Sequence, residues 1–165
     1  MKPAIKKIFL PLVILGLTGA IAFTLLHKPA APNVTYTTID GKKISMDSLK
    51  GKVVLVSFWA TDCRICNEEM PDLINTYNAY QSKGFEVIAV AMPYDPPAQL
   101  LNYVTQKKLP FPVMQDGFGD VTQAFGNIYA TPTAFLFDKH GRRLNRTVGI
   151  LDFALLRATL DKELG

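Results

Sequence analysis

The run Val53-Val54-Leu55-Val56-Ser57-Phe58 is β-branched and almost continuously apolar. A strand with one wet face alternates, so this run predicts the buried centre of a parallel sheet. It leads through Trp59-Ala60-Thr61-Asp62 into Cys63-Arg64-Ile65-Cys66, which holds the only two cysteines of the chain. Met70, Leu73, Ile74 and Tyr77 follow at i, i+3, i+4 and i+7, the spacing of an amphipathic helix with one face on that sheet. The helix should therefore begin close to Cys63. A thiol there meets unpaired backbone N–H groups and the positive end of the helix dipole, and both favour the thiolate that attacks disulfides.

Other uses of a C-x-x-C pair fit less well. A staple across so small a ring restrains the unfolded chain by about 2 kcal/mol, against roughly 5 for a loop of about 100 residues. A closed zinc site takes four ligands, and the only histidines are His27 and His140. A c-type haem site needs His directly after the second Cys, where this chain has Asn67. A redox-active dithiol fits better than a structural or metal-binding pair, and neither a metal nor a cofactor is expected beyond the Cys63–Cys66 disulfide itself.

The chain has 165 residues, 48% of them apolar, enough for one domain with its own core. Residues Ile8 to Leu26 carry no charged side chain, after Lys2, Lys6 and Lys7. A helix of that length spans about 28 Å, close to the hydrocarbon core of a bilayer. The expected organisation is a basic cytoplasmic tail over 1–7, a membrane anchor over 8–26, a stiff linker over 27–33 with Pro29 and Pro32, and an exported domain over 34–165. The alternative is a cleaved signal with Ala20-Ile21-Ala22 at the cut, which would leave the domain free in the periplasm. Of the 18 Lys and Arg, three precede the apolar segment, so the exported part nearly balances its 14 acids. No nucleic-acid footprint is present.

Along the exported part, Asp40-Gly41 reads as the turn of a hairpin between Thr37-Thr38-Ile39 and Lys42-Lys43-Ile44. Phe85 to Ala91 reads as a second buried strand, completing a βαβ unit. A loop holding Tyr94 and Asp95 precedes a helix from about Ala98 to Lys107, and a short strand is expected over Phe111 to Gln115. Tyr94 and Asp95 follow a parallel strand, at the end where α/β sheets place their sites. Ala134 to Phe137 and Arg142 to Val148 form an antiparallel pair around Asp138-Lys139-His140-Gly141, with Pro132 at a strand start where its missing N–H costs no ladder bond. Asp152 to Leu164, with Phe153, Leu156, Leu160 and Leu164 on one face, closes the chain as a helix.

These residues resemble the membrane-anchored thiol:disulfide oxidoreductases of the TlpA, ResA and CcmG group. The carriers are Gly51 to Ala60, Cys63-Arg64-Ile65-Cys66, Glu69-Met70-Pro71, Leu109-Pro110-Phe111-Pro112-Val113 and Thr131-Pro132-Thr133 through Asp138. The resemblance implies an α/β, thioredoxin-like fold, a central mixed sheet flanked by helices, with an N-terminal hairpin extension and one N-terminal transmembrane helix. It implies that Cys63 attacks a client disulfide and that Cys66 resolves the mixed disulfide. Pro132 would be the cis-proline beside the dithiol, Thr131 would pair with the bound client strand, Glu69 would move a proton or tune a thiol, and Pro71 would kink the helix. Trp59 would pack beside the dithiol and report its redox state. The implied partners are client proteins with disulfides and a membrane electron donor; the protein itself would be a monomer anchored in the bacterial inner membrane with its domain in the periplasm. Apocytochrome c and copper-site assembly factors are the clients the group implies.

Two positions depart from the group's pattern. Asp62 stands where many relatives carry Trp, and Arg64-Ile65 replaces the familiar Gly-Pro or Glu-Pro. Arg64 should favour a Cys63 thiolate and Asp62 oppose it. An oxidase or isomerase using the same pair, or a Cu(I) chaperone drawing on the dithiol with Met70, Met92 and Met114 elsewhere in the chain, are the competing functions. A peroxiredoxin pattern, P-x-x-x-T-x-x-C, is not met.

Overall fold

A computed structural model describes residues 16–19 and 28–165. The segment expected to enter the membrane lies, apart from 16–19, outside the described residues. Among the described residues no helix is long and apolar enough to cross a membrane.

The elements run β1 (Thr35–Thr37), β2 (Lys43–Ser45), β3 (Val53–Trp59), α1 (Arg64–Tyr80), β4 (Phe85–Ala91), α2 (Pro97–Lys107), β5 (Val113–Gln115), α3 (Asp120–Ala124), β6 (Thr133–Phe137), β7 (Arg143–Val148) and α4 (Phe153–Leu164). The main sheet has the order β5-β4-β3-β6-β7. β3 pairs in parallel with β4 along its whole length, from Val53 opposite Phe85 to Trp59 opposite Ala91. It pairs antiparallel with β6, and β6 antiparallel with β7, so the sheet is mixed as expected. Every residue of β3 is buried, because the strand is central and covered on both faces.

Side chains alternate across that strand and build two cores. Val53, Leu55 and Trp59 face α1, α2 and α4, meeting Met70, Leu73, Leu100 and Leu160. Val54, Val56 and Phe58 face the hairpin and α3, meeting Tyr36, Ile44, Val121 and Phe125. On that second face Phe58, Phe125 and Phe135 pack edge to face, with centroids 5.1 to 6.0 Å apart.

Some boundaries differ from the sequence reading. The hairpin strands pair Thr35 with Ser45 and Thr37 with Lys43, and Thr38 N–H donates to the Lys42 carbonyl, so the connection is wider than a two-residue Asp40-Gly41 turn. Asp40 accepts the Thr38 hydroxyl inside it, a local bond that draws those residues out of the ladder. β5 starts only at Val113, after Pro112, whose missing N–H delays the ladder. The stretch expected as a linker is docked at Pro29 to Ala31: Ala31 N–H donates to the Gly141 carbonyl and Arg143 N–H to Pro29. α1 continues through Pro71 as one helix to Tyr80.

Candidate active site

The working end of the sheet is fixed by topology. The C-terminal ends of β3, β4, β5 and β7 and the N-terminal end of β6 all point the same way. Cys63 leaves β3 there and is the N-cap residue of α1, its backbone extended and its Sγ accepting the Cys66 N–H at 3.2 Å. Sulfur thus takes one of the first-turn amides that have no partner within the helix. Cys63 and Cys66 are joined in a disulfide, with Cα atoms 5.3 Å apart. Cys63 is half-buried and lines a surface groove, whereas Cys66 is 1% exposed within the core that holds Trp59. Only the first sulfur has access from outside.

A network holds the approach to Cys63. The buried Asp95 carboxylate accepts Thr61 N–H at 2.8 Å and the Thr61 hydroxyl with its other oxygen. Gln99 donates to that hydroxyl at 2.6 Å, and Asn67 Nδ2 donates to the Thr61 carbonyl at 3.0 Å. Thr61 is therefore gripped by β4's loop, α2 and α1 together. Of the two loop residues, Asp95 is buried and Tyr94 lines the groove, at 60% exposed.

The Thr131–Pro132 peptide bond is cis. Pro132 is buried and Thr131 lines the groove with Cys63. Neither the N–H nor the C=O of Thr131 has a hydrogen-bond partner among the described residues. The Pro132 carbonyl accepts Gly149 N–H at 2.8 Å; Gly149 has φ +94, which a side chain would strain, and the turn sets Ile150 on the groove and Leu151 behind it.

Glu69 is buried rather than solvated, and accepts Leu151 N–H at 3.1 Å. Burial pushes its carboxyl above the ordinary value, against the opposing pull of the Leu151 hydrogen bond. Arg64 lines the same groove as Cys63, and its Nε donates to Glu68 at 2.8 Å in an exposed i,i+4 pair. Asp62 is exposed on the groove. Trp59 is fully buried in the core shared with Cys66, its ring 5.1 Å from that of Tyr103. Met70 lies in the same core, while Met92 and Met114 lie across the sheet from it.

Sequence reasoning did not find Thr61, Asn67, Ile65 or Ile150. Thr61 carried a signal, as a small polar residue between a buried strand and the cysteine it must present.

The family described as Redoxin matches residues 27–152. The chain belongs to the Redoxin family. It is 35% identical over 155 residues to the thiol-disulfide oxidoreductase ResA of Bacillus cereus, covering 87% of this chain and 88% of that one. Against the ResA of Bacillus subtilis the identity is 31% over 126 residues, covering 76% and 69%. Among solved structures, a thiol:disulfide interchange protein of the thioredoxin family from Chlorobium tepidum superposes with a TM-score of 0.76 at 30% identity, covering 84% of this chain and 98% of its own. This Redoxin-family chain is thus a thiol:disulfide oxidoreductase with a thioredoxin-like fold.

Proposed function

We propose that the chain is an exported reductase of client disulfides, with Cys63 as nucleophile and Cys66 as resolving thiol. The observation that carries this is the unequal burial of the pair: Cys63 opens on the groove and Cys66 is sealed in the core. In the reduced protein the Cys63 thiolate, stabilised by the first-turn amides, attacks one client sulfur and the other client sulfur leaves and takes a proton. Cys66 then attacks Cys63 Sγ, closing the disulfide and releasing the second client sulfur as a thiol. Two electrons pass to the client, and a membrane electron donor restores the dithiol.

The unpaired Thr131 backbone beside the dithiol supports strand-like pairing with a client segment. Glu69, three residues after Cys66 on α1, would relay a proton at the resolving thiol; its burial supports a carboxyl able to hold that proton nearer neutrality. The reading includes an N-terminal anchor over 8–26 in the bacterial inner membrane, a periplasmic domain and clients of the apocytochrome c or copper-site kind. A monomer suffices for this chemistry.

The test is trapping. Cys66→Ser should accumulate mixed disulfides through Cys63, visible on non-reducing gels and lost with dithiothreitol, while Cys63→Ser should form none and lose turnover. Full disulfide-exchange activity in both variants would remove the proposed roles.

A further inference from the structure

Acids and bases nearly balance in the folded domain, yet the fold sorts them by end. The loops at the dithiol end, those after β3, β4, β5 and β7 and the one before β6, hold Asp62, Asp95, Asp116 and Asp152 and no Lys or Arg. The connections at the opposite end, into β3, β4 and β5 and from β6 to β7, hold Lys50, Lys52, Lys83, Lys108, Lys139 and Arg142 against Asp47 and Asp138. Both of those acids are taken, Asp47 by Lys50 at 2.7 Å and Asp138 by Arg142 at 2.8 Å. The end of α4 adds Asp161, Lys162 and Glu163 on the helical side, where Asp161 accepts the Tyr80 hydroxyl. Lys83, Lys107 and Lys162 stand in last helical turns, the ordinary place for a base beside unpaired carbonyls. That use does not extend to Lys28, Lys50, Lys139 and Arg143, whose backbones three hydrogen bonds bring together: Gly51 N–H to Lys139 C=O, Ala31 N–H to Gly141 C=O and Arg143 N–H to Pro29 C=O, each 2.8 Å. Lys28 and Lys139 are exposed and make no ion pair among the described residues.

We propose that this basic pole docks on the headgroups of an anionic bilayer and holds the domain with its dithiol end directed away from the membrane. The inference rests on the anchored reading and adds to it a seat and an orientation. Two independent observations choose a bilayer as the occupant. The first is where the chain leaves the domain: Pro29 is already bonded to Arg143, and only His27 and Lys28 separate it from the uncharged run that ends at Leu26. That stretch reaches at most about 10 Å, so the β6–β7 turn lies within roughly one Debye length of the headgroups at 0.1 M salt. The second is charge: anionic headgroups attract each Lys and Arg of this pole and repel the acidic loops of the other, so one field seats the first and lifts the second. β3 crosses the sheet between the two ends in seven residues, which puts Cys63 about 20 Å above the seat. A membrane donor that reduces the pair must then carry its thiols on a part that stands out from the bilayer by a comparable distance.

The test uses the full-length Cys66→Ser chain, in which Cys63 is the only thiol, reconstituted into vesicles of phosphatidylcholine alone or of phosphatidylcholine with phosphatidylglycerol. Each vesicle carries a lipid with a maleimide on its headgroup, and a soluble maleimide gives the reference rate. If the pole is seated, the ratio of lipid-borne to soluble alkylation of Cys63 should be about tenfold lower with phosphatidylglycerol than without it. Adding Lys28→Glu and Lys139→Glu, two exposed positions outside the dithiol site, should bring the ratio with phosphatidylglycerol back to within about twofold of the phosphatidylcholine value, although Lys2, Lys6 and Lys7 are kept. Equal ratios in the two vesicles overturn the proposal without the charge variant. So does an oligomer of the Cys66→Ser chain at low salt that the two Glu substitutions dissolve in sedimentation, since it gives the basic pole to the acidic end of a second copy. Flotation reads the anchor separately. A chain that floats with both vesicles keeps the anchored reading whatever the alkylation ratio. One that floats only with phosphatidylglycerol, and not after the two Glu substitutions, keeps the docking surface and removes the anchor. One that floats with neither sinks both.

Discussion

Glu69 shows how position in the fold changes the meaning of a residue. By its helical spacing it is a carboxylate three residues past Cys66; in the structure it is buried and tied to Leu151. Burial raises its carboxyl above the ordinary value, so folding shifts it toward the protonated form relative to the unfolded chain. Below the ordinary carboxyl value both folded and unfolded states hold the proton and no penalty exists. As pH rises through that value the unfolded state ionises first, and folding stability falls until the raised folded value is passed. Glu69→Gln keeps an acceptor for Leu151 N–H without the charge. Its urea midpoint should therefore exceed that of the unsubstituted chain at pH 7, with the gap closing by about pH 4. A variant less stable at pH 7, or a gap independent of pH, would contradict the burial argument. Arg64 teaches the reverse lesson. Its partner Glu68 was visible four residues on, and the helix geometry that joins them partly offsets the Arg64 charge beside the groove.

Among elements, the long periodic ones were legible. β3, β4, α1 and α4 announce themselves by continuous or 3.6-spaced apolar residues, because each buries a face against the same sheet. α3 is five residues long and too short to show a period. It is held by the buried Asp116, which accepts Val121 N–H at 3.2 Å and Thr122 N–H at 2.7 Å. The loop from Ala60 to Cys63 was legible as a place and not as a mechanism, since its anchor Asp95 lies 34 positions from Thr61 and no local pattern links them. Asp95→Ala leaves the buried Thr61 N–H and hydroxyl without that acceptor, which should cost about 1 to 3 kcal/mol. Loss of the grip should also loosen the N-cap seat of Cys63, so the alkylation profile of the reduced protein should move to higher pH. Thr61→Ser, retaining both donors, should keep the original profile. If Asp95→Ala lowers stability and leaves the profile unmoved, the network only supports the fold and does not position the sulfur.

For the whole molecule, the sheet is the device that assembles the site. Strand direction alone gathers the cysteine turn, the cis-proline loop, Tyr94 and the Gly149 turn at one end, drawing on residues from 59 to 151. That gathering explains why the pair of cysteines and Pro132 could be chosen from sequence, by motif, while Ile150 and the apolar surround could not: their only relation is across the fold. It also leaves direction to thermodynamics. Dithiols of this kind span roughly 150 mV, about 7 kcal/mol for two electrons, enough to make the same geometry a reductant or an oxidant. The most direct check is the reduction potential of the Cys63/Cys66 couple, read in thiol redox buffers by alkylation of the free thiols, with Trp59 fluorescence as a second reading. A client reductase requires a value near that of thioredoxin, about −270 mV; a value near −120 mV would make the pair an oxidant and contradict the account.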